Sequence, residues 1–408
     1  MNIHYLKLIL VTIIFQLSNF SFAVEIKSDK KLSKNHLFLS DELVTKQFSA
    51  FEKVQNLLSN KNGENIVTIG TDASCTYPNG MIQNAINDGH NHIRLVSGTY
   101  LENPYFVNPN MILEGGYDNC TDAQANTVGS GSSIIDGSND PEVSVITIDD
   151  SVQSDQIVLR RLTIRNGGST ALLYGGGISI INSSADILLD TLDINNNSGN
   201  FGGGIGISNG SPTVIIKDTN IQFNTAQSGG GISCSSSEDA NVSFYDTGNR
   251  FLGSIIGNNA TTRNGGGIEL RLGCNMFMFS GQNPNESADI RGILLNNAKE
   301  NGGGVDVSGG STFTAIGYQS GFGNNTSPAT IRGNKADNDS NNSGNGGGIS
   351  VRGVDSKAFL TNVNVQDNTA YNGAAVSAES GGNVTTFSQY DEGTCWSIGS
   401  CNKFVGNT

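Results

Sequence analysis

The stretch FGGGIGISNG, Phe201–Gly210, sets three consecutive glycines ahead of alternating aliphatic residues. Ordering a glycine triplet costs more backbone entropy than ordering any other tripeptide, so a chain that repeats one has a structural need for it. The string recurs as GGGISI from Gly175, GGGIGI from Gly202, GGGISC from Gly229, GGGIEL from Gly265, GGGVDV from Gly302, GGGISV from Gly346 and GAAVSA from Gly373. Successive clusters lie 27, 27, 36, 37, 44 and 27 residues apart, a 27-residue period with insertions of 9, 10 and 17. Self-similarity at a fixed period is the sequence mark of a solenoid.

A second marker keeps step with the first: an aliphatic residue, two variable residues and an asparagine. It ends at Asn197, Asn224, Asn259, Asn296, Asn334, Asn368 and, as FVGN, at Asn407. Five-residue spacing to the next glycine cluster selects Asn197, Asn224, Asn297 and Asn368 as rungs of a turn ladder.

The apolar spacing decides which solenoid this is. Ile178, Ile205, Ile232, Ile268, Val305, Ile349 and Val376 fall in one column, and Ile180, Ile207, Cys234, Leu270, Val307, Val351 and Ala378 two residues further on. Between them stand Ser179, Gly206, Ser233, Glu269, Asp306, Ser350 and Ser377. Such period-two alternation in β-branched residues predicts strands with the polar file facing solvent. A coil of 27 residues suits three short strands and three turns, stacked about 4.8 Å apart. Glycine at a stacked corner permits positive φ and brings no side chain against the next coil. Asparagine tolerates the left-handed conformation and can bond up and down the stack. The expected fold is all-β: a right-handed parallel β-helix with Gly175, Gly202, Gly229, Gly265, Gly302, Gly346 and Gly373 as its stacked corners.

Upstream, NGMIQNAINDG predicts a short N-terminal capping helix, and looser strand-and-turn alternation fills 91–168. The first 23 residues read as a signal peptide: Lys7, an apolar run from Leu8 to Phe15, and small residues at Ser21 and Ala23. Residues 24–65 form an N-terminal extension, with a candidate amphipathic helix over 41–59 and Ser40 as its cap. The β-helix then occupies 66–408. Its final coil stops mid-repeat, which favours a piece of a longer solenoid over a last coil covered by a partner.

The 408-residue chain has a formal charge of −14 at pH 7, and only 23 of its residues are lysine or arginine. That balance argues against a nucleic-acid partner and against polyanionic sugars. No apolar stretch after the signal is long enough for a membrane helix. Six cysteines in an exported chain predict disulfides, and sequence order favours Cys75 with Cys120, Cys234 with Cys274 and Cys395 with Cys401, although six cysteines permit fifteen pairings.

The paired markers resemble GGA-[ILV] and F-x-x-N, the repeat hallmarks of the chlamydial polymorphic outer membrane proteins, over Gly175 to Asn407. This resemblance implies an exported passenger at the cell surface, associated with adhesion and anchored in that family by a C-terminal barrel, which this sequence does not show. More broadly the chain resembles the pectin-lyase-like β-helix superfamily, which includes polysaccharide lyases and hydrolases. Fold resemblance does not choose between such functions.

Candidate chemistry is sparse. Asp186, Asp190 and Asp193 align with Thr213, Lys217 and Asn220 one repeat later, a column pattern that reads as solvated surface. Asp149–Asp150 could supply half of a glycosidase pair, but no partner coil repeats it. No histidine follows His92, so the Gly-His-Gly motif of polygalacturonase-like hydrolases is missing. Arg271 and Arg352 share a column with Ser308 between them and read as surface arginines. Asp337, Asp339 and Asn341 imitate the start of a calcium loop, but Asn342 and Gly348 stand where glycine and the bidentate glutamate are needed. No residue is therefore assigned a catalytic, cofactor or metal role. The expected function is a non-catalytic exported rod, adhesive or structural, whose inserted loops meet extracellular glycans or proteins. A polysaccharide lyase, a glycoside hydrolase or a carbohydrate-binding module is the alternative.

Overall fold

The computed structural model describes residues 66–107, 110–140, 142–149, 155–168, 174–246, 253–280, 292–319, 326–337, 343–387 and 403–408. The expected signal peptide, the extension with its 41–59 helix, Cys395, Cys401, Asp150, Asp339 and Asn341 lie outside the described residues.

One coil shows how the repeat folds. Ile178–Ser183 runs in a first sheet (C), Asp186–Asp190 in a second (A) and Asp193–Asn195 in a third (B). Ser198–Phe201 then joins a small fourth sheet before Gly202–Gly204 returns the chain to sheet C at Ile205. Among the described residues sheets A, B and C hold thirteen, ten and nine strands and the small one four. All these pairings are parallel except one short antiparallel pair, Tyr318 with Ser327 and Gln319 with Thr326. The chain is a parallel β-helix.

Register follows the glycine count. Ile178, Ile205, Ile232, Ile268, Val305, Ile349 and Val376 pair in turn across sheet C. Sheet A supplies inward files such as Ile187, Val214 and Val242, and sheet B supplies Ile194, Ile221 and Ile255, all in one continuous core. Each fully buried aliphatic side chain contributes roughly 1.5–3 kcal/mol, which offsets the entropy of ordering so many glycines.

Two helices sit near the start. Helix α1 (Ile82–Asn87) buries Ile82, Ala85 and Ile86 in the main core. Helix α2 (Cys120–Ala125) is capped by Asn119, whose side chain accepts from the Asp122 N–H. Cys75 and Cys120 are bonded, as are Cys234 and Cys274, with S–S distances of 2.03 and 2.10 Å. The second bond ties adjacent coils, because Cys234 points inward in the column of Ile207 and Leu270. Both bonds fit an oxidising environment.

Four coils lengthen at the same corner, between sheets A and B. Two residues, Asp218 and Thr219, connect Lys217 to Asn220 there. The equivalent positions Tyr245 and Ser254, Phe279 and Gly292, and Ile316 and Thr330 are separated by much longer stretches, as are Phe387 and Lys403.

Candidate functional surfaces

The two sequence markers meet in space. The seven corner glycines, Gly175 to Gly373, have φ between 58° and 83°, the region that favours glycine. The third glycine of each of the six triplets faces the asparagine ladder: a β-carbon on Gly231 would stand 3.1 Å from Asn258 Nδ2 and 2.6 Å from Gly267 O. The rungs are Asn197, Asn224, Asn258, Asn296, Asn334, Asn368 and Asn407. Each Nδ2 donates to the Oδ1 of the next rung, and that same Oδ1 also accepts the backbone N–H of the rung before it.

Two positions need correction. Asn259, at the end of its marker, and Asn297, selected by the five-residue spacing, are not rungs; the ladder passes through Asn258 and through Asn296, the residue that ends its own marker. Asn259 and Asn297 instead pair with each other in the small sheet, next to Thr225. Asn264, Asn301, Asn345 and Asn372, each directly before a glycine cluster, make a second ladder that the sequence reading missed. The Asn-Gly pair at each of these positions was the available signal.

The polar file of sheet C does not face solvent as expected. Ser179, Ser233, Glu269, Asp306 and Ser350 are all buried. The segment entering each glycine corner folds back over this file, so a β-carbon on Gly206 would collide with Tyr174, Gly175 and Phe201 backbone atoms. Beneath that cover Glu269 and Asp306 stack on adjacent coils. Ser228 and Ser233 donate their hydroxyls to Glu269, at 2.5 and 2.9 Å. Arg352 grips Asp306 with Nε at 3.0 Å and Nη2 at 2.9 Å. Burial pushes the Asp306 carboxyl up to about 6 against the opposing pull of Arg352. Arg271 shares the column of Ser308 and Arg352, but its guanidinium lies over the Phe201 ring at 4.3 Å. The two arginines thus engage different partners and do not form one cation site.

Sheet A has an outward face of three parallel files. One alternates in charge: Arg94, Glu114, Arg160, Asp190 and Lys217 pair in succession. Glu114 Oε1 accepts from Arg94 Nε at 2.6 Å and lies 2.9 Å from His92 Nε2. Glu114 Oε2 accepts from Arg160 Nε at 2.5 Å and Arg161 Nη2 at 2.9 Å. Burial acts to raise the Glu114 pKa, but the His92 hydrogen bond and the Arg160 and Arg161 charges outweigh it and hold the carboxyl well below its usual range. Lys217 Nζ reaches Asp190 at 3.1 Å, so the aspartate-to-lysine column read as solvated surface is an inter-coil ion pair. Asp193 likewise accepts from Gln222 at 2.8 Å. A second file is polar, with Gln156, Asp186, Thr213 and Asn241. Between these two runs an apolar file, Ile112, Val158, Leu188 and Ile215.

Asp149 accepts hydrogen bonds from Tyr105 and Asn182, and Asn182 in turn accepts from Asn209. Among the described residues no group of three or more His, Cys, Asp or Glu side chains is arranged to hold a metal ion. No helix among them is long and apolar enough to cross a membrane, which says nothing of β-barrels. Comparison of the chain with protein-family models, curated proteins and solved structures finds no match.

Proposed function

We propose that this chain is an exported, non-catalytic β-helix rod of the cell surface or extracellular space, and that it works by holding inserted loops in fixed relation to one another. The observation that carries this reading is the shared corner between sheets A and B, from which four coils extend while their strands stay in register. A rigid stack with variable connections at one edge is the arrangement that places recognition on loops and stability in the scaffold. The engagement of Glu114, Asp190 and Asp306 with cations inside the wall also supports a structural rather than a catalytic use of these carboxylates. The repeat markers, which resemble those of surface passengers, support the adhesive form of the reading. The reading is tested by binding the purified chain to arrays of extracellular glycans and proteins, with mass spectrometry of the polymers afterwards. Binding should fall at least tenfold when residues 280–291 are replaced by a two-residue connection like that after Lys217. Cleavage of any polymer overturns the proposal in favour of a lyase or hydrolase.

A further inference from the structure

Three guanidiniums share one carboxylate at the corner where sheet A turns into sheet B. Glu114 is fully buried, and Arg94, Arg160 and Arg161 all reach it. Arginine stays protonated in proteins, so these three carry two positive charges more than Glu114 balances. Neighbouring carboxylates are engaged elsewhere. Asp190, beside Arg160 in its file, takes Lys217 Nζ and the Thr191 hydroxyl at 3.1 Å each. Asp136 is held by Arg165 and Asn166. Uncompensated charge within a wall is costly, and it is concentrated here in a chain whose net charge is −14.

The three arginines are not equivalent. Arg94 is 1% exposed and faces inward, with Nε donating to Glu114 and Nη1 to Ala123 O at 2.6 Å. The Arg160 and Arg161 side chains are 19% and 21% exposed. Arg160 meets Glu114 Oε2 through Nε and Nη2, and Arg161 meets it through Nη2 while donating also to Gly115 O and the Tyr117 hydroxyl. Their Nη1 groups make no hydrogen bond with the described residues and are not buried. Because both guanidiniums converge on one oxygen, two open donor edges are fixed close together.

The local backbone is shaped around these side chains. Arg161 is the single residue between the strands Gln156–Arg160 and Leu162–Arg165, and it takes the left-handed conformation with φ 55°. A β-carbon on Gly116 would stand 3.3 Å from its Cδ and Nε, and one on Gly115 would stand 2.6 Å from its carbonyl oxygen. The Tyr117 ring takes the Arg94 and Arg161 guanidiniums, at 5.5 and 5.3 Å from its centroid. The glycine pair of LEGGY and the arginine pair of LRRL thus belong to one site.

Two adjacent arginine forks with this excess of charge match a doubly charged oxyanion. A phosphate monoester carries about −1.5 to −2 at pH 7 and offers three acceptor oxygens. A carboxylate or a sulfate ester carries a single charge and leaves the excess half met. The acidity of the whole chain opposes polyanions along the rod, whereas one phosphate group needs only this corner.

We propose that Arg160 and Arg161 form a binding site for a phosphate monoester, with Glu114, Tyr117 and the Gly115–Gly116 pair holding their donor edges open. The phosphate comes free in solution or on the headgroup of a membrane lipid, and the chemistry of recognition is the same. The site lies three coils before the first long connection, so shortening 280–291 leaves it intact.

Isothermal titration of the full chain at low ionic strength with inorganic phosphate, glycerol 3-phosphate and sulfate tests the free form. Co-sedimentation with phosphatidylcholine vesicles containing phosphatidic acid or phosphatidylglycerol tests the lipid form. Either a soluble phosphate should bind at least tenfold tighter than sulfate, or phosphatidic acid vesicles at least tenfold tighter than phosphatidylglycerol vesicles. In the double variant Arg160→Gln, Arg161→Gln that binding should fall at least tenfold while the β-sheet circular dichroism is retained. If the double variant loses this signal, Arg160→Gln alone decides, with an expected loss of at least fivefold. Absence of both forms of binding overturns the proposal, as does binding that survives the variants. Equal binding of phosphate and sulfate, together with equal binding of the two vesicles, overturns it too, because it reports general attraction to negative charge.

Discussion

Asn296 donates both its backbone N–H and its Nδ2 to the single Oδ1 of Asn334 in the next coil, at 3.0 Å each. The same Nδ2 also donates to Ile255 O in the coil before, so one buried side chain joins three coils. Asn296→Ala removes the two Nδ2 bonds and strands the Asn258 donors that Asn296 Oδ1 accepts. Leaving buried donors unpaired costs about 1–3 kcal/mol each. We expect a loss of about 3 kcal/mol or more by urea denaturation. A loss below 1 kcal/mol would show that water replaces the rung.

The glycine corner makes a steric prediction. In Gly231→Ala the new methyl meets Gly267 O, Ile255 Cγ2 and Asn258 Nδ2 within 3.1 Å, two of them in backbone or ladder positions that cannot yield. Overpacking of this kind costs about 1–3 kcal/mol. Gly310, at φ +78°, faces open space, so Gly310→Ala carries only conformational strain, roughly 1–2 kcal/mol. Thermal melts should rank Gly231→Ala as equally or more damaging, and its damage should shrink when Asn258 is also replaced by Ala.

Asp306 sets one part of the pH profile. Its folded carboxyl titrates at about 6, whereas an unfolded aspartate titrates at about 3.9. Between those values the folded chain holds a proton that the unfolded chain has released. The contribution is thus fully present below about pH 4 and is lost as pH rises through 6. In Asp306→Asn the fall in urea midpoint between pH 4 and 6.5 should flatten. An unchanged slope would place the titration elsewhere.

Glu114 acts in the opposite sense. Its folded pKa is depressed, so its stabilisation is present above about pH 4.3 and is lost as pH falls. Glu114→Gln leaves Arg94, Arg160 and Arg161 without their shared counter-charge. Breaking a buried ion pair costs about 3–5 kcal/mol, and partial exposure of Arg160 and Arg161 sets the expectation near the lower figure. Melting curves at pH 7 and pH 3 should converge for this variant. A difference as large as that of the unmodified chain would refute the role of Glu114.

The Cys234–Cys274 bond closes a 40-residue separation within the stack. Replacing both cysteines with alanine should cost roughly 2–4 kcal/mol. Peptide mapping without reductant should recover this pair and Cys75–Cys120 as linked peptides; any other partner for Cys234 would contradict the register of sheets C and A.

Much of the coil was legible because its period is local. Ile178, Ile205 and Ile232 are recognisable without tertiary information, since glycine and β-branched residues carry their own conformational meaning. The ladder was misread at Asn258–Asn259 and Asn296–Asn297, where two adjacent asparagines offer equal candidates and extra residues break the five-residue spacing. The choice between them belongs to the left-handed residues just before, Gly257 at φ 65° and Leu295 at φ 54°. The apolar outward file of sheet A, buried like the core, had a signal too. The triplets Ile157–Leu159, Ile187–Leu189 and Val214–Ile216 are unbroken aliphatic runs, the pattern of strands buried on both faces.

By itself, then, the sequence determined the all-β solenoid, its 27-residue coil, the inward columns and the glycine corners, because each depends on residues a few positions apart and on a repeat that aligns like with like. Tertiary structure alone decided that Glu269 and Asp306 are enclosed, that Glu114 gathers three arginines and His92 and that the long connections share one corner. Those relationships join residues 20 or more positions apart, and they depend on how one coil's turn folds across the face of another, which no local pattern encodes.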